Sequence, residues 1–140
     1  MQGPHRENEL NAFDRETYVK MLISIARADK ENGPPEYHYV RKQAIGLGVD
    51  YDRVFEKTDK DFNLGAQKVS RTIALRVLKD AIIIASMDCN FSLPEKQKVY
   101  TYAELLDIPR KDVDVLETIV QEMKDLDRRW KKLVAGRLDA

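Results

Sequence analysis

Apolar residues recur along this chain mostly at spacings of three and four, the period of a helix buried along one face. Tyr18, Met21, Leu22, Ile25 and Ala26 form a first stripe, expected to start at an Asp14 cap and to stop near Asp29, ahead of Asn32, Gly33, Pro34 and Pro35. Pro35 opens a second helix through Tyr39, Val40 and Ala44, which should end at Gly46-Leu47-Gly48 with a glycine in the left-handed region. Asp50 restarts the chain into a short helix over 51–57 with Val54 and Phe55 inward, followed by a polar linker over 58–65 anchored by Phe62 and Leu64. The fourth helix, expected over 66–87, carries Val69, Ile73, Val77, Ala81 and Ile84 at i, i+4, widened by Leu78, Ile82 and Ala85. Apolar on more than one face, it should be the central helix, with Ile84 in the core.

Ser92-Leu-Pro-Glu95 has the form of a capping box, so a fifth helix starts there and runs through Val99, Tyr102, Ala103 and Leu106 to Pro109. The last helix, expected over 112–135, places Leu116, Ile119, Met123, Leu126, Trp130 and Leu133 at spacings of 3, 4, 3, 4 and 3, a heptad seam. Such a helix is about 36 Å long at 1.5 Å per residue, more than a domain of this size needs. Leu126, Trp130 and Leu133 are expected either to pack back on the N-terminal helix or to meet a partner or a second copy, and self-packing is the favoured expectation.

The pattern also repeats. Displaced by 59 positions, Ile25 falls on Ile84, Asp29 on Asp88, Pro35 on Pro94, Glu36 on Glu95, Val40 on Val99, Ala44 on Ala103 and Leu47 on Leu106. The expected fold is therefore all-α, with five or six helices. Two helix-loop-helix units, about 18–48 and 77–107, would be related by a pseudo-two-fold, and a long C-terminal helix follows. Residues 1–12 read as a frayed leader to one domain over 13–140.

Composition narrows the class. Charged residues make up 34% of the 140 and apolar ones 43%, which suits a surface-rich helical protein rather than a membrane-inserted or disordered one. Lysine plus arginine equals aspartate plus glutamate at 24 each, so no overall field attracts nucleic acid or anionic lipid. The basic end of the last helix, Lys124 to Arg137 around Trp130, reads as cations complementing a helix C-terminus. Cys89 is the single cysteine and no apolar leader opens the chain, so a reducing, cytoplasmic setting is expected.

The chemistry on offer is acidic. Each repeat ends one helix in Asp29 or Asp88, where the helix dipole disfavours a carboxylate, and opens the next with Glu36 or Glu95. Two readings remain open: the carboxylates cap loop amides and helix starts, or they hold a hard divalent cation, calcium, magnesium or manganese, with Glu31 or Asn90 adding oxygens. An EF-hand is excluded, because the Glu follows at loop position 8 instead of 12 and a proline precedes it. His5 and His38 have no second ligand at metal spacing, and no nucleophile elbow, phosphate loop or paired-His motif occurs. No enzymatic activity is expected.

At Ala28-Asp29 through Pro35-Glu36, and again at Asp88 through Pro94-Glu95, the chain resembles the TerB-like family of tellurite-resistance-associated proteins. The resemblance extends from about Tyr18 to Glu122. It implies an internally symmetric helical domain without established catalysis, acidic clusters suspected of binding metal, and a place in bacterial stress-response assemblies. The family Asp corresponds to Asp29 and Asp88, and the family Glu to Glu36 and Glu95. Lys30 and Cys89 stand where the family has glycine, and Met87 stands where it has alanine, which marks a divergent member.

Overall fold

The computed structural model describes residues 12–28, 34–58, 62–86 and 93–136. Among them there are six α-helices and no strand: α1 (Ala12–Ala28), α2 (Pro34–Gly46), α3 (Tyr51–Lys57), α4 (Arg71–Ala85), α5 (Leu93–Leu105) and α6 (Arg110–Val134), with a 3-10 turn at Leu64–Ala66. The central helix is α4, as its pattern requires. It packs on α1, α5 and α6, while α1 also holds α2 and α3. Ile73, Val77, Leu78, Ala81, Ile82 and Ile84 are all buried, and they meet Val19, Met21, Leu22 and Ile23 of α1 in one core.

Helix starts follow the local chemistry. Asp50 accepts the Arg53 amide at 3.3 Å, and Ser70 accepts that of Ile73 at 3.2 Å, so each side chain satisfies a donor that the first turn leaves orphaned. The Ser70 cap corrects the fourth helix, which begins at Arg71 instead of residue 66. Val69 fits the i, i+4 row by coincidence, since it lies ahead of the cap. The linker expected over 58–65 is less polar than it reads: Thr58 is buried, its hydroxyl donating to the Val54 carbonyl at 2.7 Å, and Leu64 is buried in the 3-10 turn. Asp14 stands inside the first turn of α1 instead of before it. The expectations for residues 1–11, Met87 and Ser92 lie outside the described residues.

Helix bounds repeat along the chain. α1 and α4 start 59 residues apart (12 and 71), as do α2 and α5 (34 and 93) and α3 and α6 (51 and 110). The ends of α2 and α5 match in detail. Gly48 has φ 71° and Asp107, 59 residues on, has φ 61°. The turn after α2 closes with the Val49 amide donating to Ala44 O at 2.9 Å, and the turn after α5 closes with Ile108 donating to Ala103 O at 2.8 Å. A left-handed residue is what such a helix end requires, and aspartate tolerates it better than most side chains.

Candidate interaction surface on the last helix

Positions 113, 116 and 120 place Val113, Leu116 and Val120 on the same side of α6, and that side meets α4 and α5. Polar ties reinforce the docking. Arg71 pairs with Asp112 at 2.9 Å, Lys96 with Glu117 at 3.1 Å, and the Tyr100 hydroxyl donates to Asp114 at 2.5 Å. The hydrogen bond to Asp114 holds the Tyr100 phenol above its usual range, and Glu117 does the same for the Lys96 ammonium. Lys124 then reaches the end of α4, donating to Ser86 O at 3.0 Å and Ser86 Oγ at 2.5 Å. A cation at that point also complements the negative end of the α4 dipole.

Beyond Lys124 the seam turns outward. Leu126, Trp130 and Leu133 are 63%, 62% and 51% exposed, and Ile119 and Met123 are 40% and 46% exposed. The expected packing of Leu126, Trp130 and Leu133 on the N-terminal helix is therefore not what the chain does. The physical reason is that α1 is occupied by α2, α3 and α4, and α6 is held on α4 and α5 through its first half. The ion pairs Arg128 to Asp125 at 3.0 Å and Lys131 to Asp127 at 2.9 Å join neighbours along the helix itself. They keep the backbone helical without turning its apolar side inward.

A solvent-open groove of about 560 Å³ runs where α6 crosses the end of α4 and the start of α5, lined among others by Ser86, Lys96, Tyr100, Glu117, Gln121 and Lys124. Within it Lys96 pairs with Glu117, Lys124 donates to Ser86, and Tyr100 donates to Asp114. The groove is a polar joint beside the seam.

Of the four residues expected to hold a cation, Asp29 and Asp88 lie outside the described residues. Glu36 and Glu95 occupy the first turns of α2 and α5, half-buried, and each already interacts within the fold. No group of three or more His, Cys, Asp or Glu able to hold a metal occurs among the described residues. No described helix is long and apolar enough to cross a membrane.

One polar centre escaped the sequence reading. Asp80, on α4 and 2% exposed, accepts a hydrogen bond from the Tyr18 hydroxyl of α1 and another, at 2.5 Å, from Tyr39 of α2. Burial pushes the Asp80 carboxyl up, and the two tyrosine hydrogen bonds pull against that shift. Both phenols are pushed well above their usual range, first by burial and then by the Asp80 charge. The triad joins three helices with every buried side-chain polar atom satisfied among the described residues. A signal did exist: position 80 lies on the buried rows through Val77 and Ile84, where a carboxylate requires partners.

Comparison of the chain with protein-family models, with curated proteins and with solved structures found no match.

Proposed function

We propose that this chain is a non-catalytic helical interaction module whose working surface is the distal half of α6. One observation carries the reading: a regular heptad seam continues through Leu126, Trp130 and Leu133 after the body has stopped covering it. Exposed aliphatic and aromatic side chains in a continuous row cost solubility and are a marker of docking surfaces. Trp130 at the middle of that row is the type of residue that dominates binding energy when covered. The test is photo-crosslinking in the native host, with a photoreactive amino acid replacing Leu126 in one chain and exposed Lys42 of α2 in another. A protein adduct from position 126 and none from position 42 is expected. No adduct from position 126 would overturn the reading.

A second reading keeps the carboxylates. Glu36 and Glu95 hold the third position of two helices whose starts lie 59 residues apart, which favours a pseudo-two-fold between the units of about 18–48 and 77–107. In this reading Asp29 and Asp88 are the primary ligands of a divalent cation, because the positive ends of α2 and α5 oppose a cation beside the glutamates. Thermal unfolding with excess calcium, magnesium or manganese tests it. Binding at a hundred times the dissociation constant adds about 2.7 kcal/mol, and no shift in wild type or Asp29→Asn leaves the four carboxylates as caps.

A further inference from the structure

We propose that the partner of the α6 seam is a second copy of the chain, docked antiparallel. The proposal rests on the reading of α6 as an interaction surface and adds the identity of what covers it. The flanking charges make the choice. Leu116, Met123 and Trp130 are a positions and Ile119, Leu126 and Leu133 are d positions, so Glu122 and Arg129 fall at g and Asp127 at e. In a parallel pair each g position lies beside the e position five residues later in the other helix. Glu122 would then face Asp127 of the partner subunit, like charges on both flanks.

Antiparallel docking sets a against d and g against g. With the two-fold axis passing between Lys124 and Asp125, Leu116 meets Leu133 of the partner subunit, Ile119 meets the partner's Trp130, and Met123 meets the partner's Leu126. The five exposed seam residues are all used, and Leu116, partly buried against the body, closes the row at its end. In the same register Glu122 lies beside the partner's Arg129, and symmetry makes that pair twice. Moving the axis half a heptad along the helix, to residue 128, sets Arg129 against the partner's Arg129 and Asp127 against the partner's Asp127. Moving it the other way, to residue 121, sets Glu122 against the partner's Glu122. Seam coverage and charge therefore select one arrangement.

The body leaves room for it. Val113, Leu116, Val120 and Lys124 lie toward α4 and α5, Leu116 only partly buried at the edge of that side, while Val115 at 57% exposure, Ile119 and Glu122 remain open to a neighbouring helix. The fold thus leaves Ile119 and Met123 partly open, and Leu126, Trp130 and Leu133 more so.

Sedimentation of the full chain tests the proposal at about 100 µM, where a micromolar contact is close to fully formed. The wild type should be dimeric. Glu122→Arg and Arg129→Glu should each weaken the dimer about tenfold, since both symmetric pairs turn repulsive together, and the double swap should restore it. These sites are exposed, so the monomer stays folded, as circular dichroism will verify. A dimer strengthened by Glu122→Arg would show the parallel arrangement and overturn the proposal. A monomeric wild type would also overturn it, whereas an adduct from position 126 with a different protein would leave the interaction reading standing.

Discussion

α3 and α6 start 59 residues apart, matching the displacement of the sequence repeat, yet α3 stops after 7 residues and α6 runs for 25. Their first turns do the same job: Val54 and Val113, 59 residues apart, are both buried against the body. What differs is the stop. In the first half the Arg27 guanidinium, stacked 4.1 Å from the centre of the Phe55 ring, donates to the Phe55 and Thr58 carbonyls and closes the helix end. The position equivalent to Arg27 is Ser86, too short to reach across, and there the tie runs the other way, from Lys124 of α6 to Ser86. The equivalents of Phe55 and Thr58 are Asp114 and Glu117, inside an uninterrupted helix. About two turns dock α3, whereas α6 is docked from Val113 to Lys124 and only its last turns run on uncovered.

The largest effects should fall where the halves agree. Ile25 and Ile84 are equivalent and 6% and 3% exposed, and replacing either by alanine should cost about 2 to 5 kcal/mol through lost burial and the cavity left behind. Chemical denaturation reads both. A cost below about 0.5 kcal/mol for one of them would mean that the two positions are not alike.

Arg27→Ala should cost about 1.5 to 3 kcal/mol, because charge-assisted bonds to two carbonyls disappear. Ser86→Ala should cost about 1 kcal/mol. Equal costs in a thermal melt would remove the proposed difference between the two helix ends.

The Asp80 triad belongs to one half only, since its equivalents Met21, Val77 and Lys98 cannot form it. Tyr18→Phe should cost about 1 to 3 kcal/mol by removing one donor from a buried acceptor. The pH dependence has a fixed sign. Both phenols are raised in the fold, so their contribution is complete below about pH 10, where unfolded tyrosine titrates, and is lost as pH climbs toward their folded values. Asp80 is also raised, so its contribution is complete below about pH 4 and lost as pH rises through its folded value. The double variant Tyr18→Phe/Tyr39→Phe should flatten the alkaline limb of the stability profile; an unchanged limb would place the phenol titration elsewhere.

The smallest effect separates Gly48 from Asp107. Asp107→Gly should stabilise by about 0.5 to 1 kcal/mol, relieving a left-handed aspartate, and a loss would show that its side chain earns that conformation through contacts.

Much of this fold was legible because its signals are local. The short helix over 51–57, the left-handed glycine after α2, the central helix and the buried Ile84 all follow from period, caps and breakers read over a few residues. The apolar row through Val69 places the start of α4 too early, and the Ser70 cap sets it at Arg71. Asp80 was missed because its partners, Tyr18 and Tyr39, are 62 and 41 residues away, and only packing brings them together. The seam of α6 was visible as spacing, but spacing does not say what covers it. Burial does, and it is missing from the distal half.

The central claim is that Leu126, Trp130 and Leu133 serve association and not the fold. The most direct measurement is the unfolding free energy of Leu126→Gln/Trp130→Gln/Leu133→Gln beside wild type, at concentrations low enough to keep both monomeric, with crosslinking from a photoreactive residue at position 123 recorded separately on each at about 100 µM. The account predicts a stability change within about 0.5 kcal/mol together with loss of the adduct. A loss of about 2 kcal/mol or more in the monomer, with the adduct retained, would contradict it.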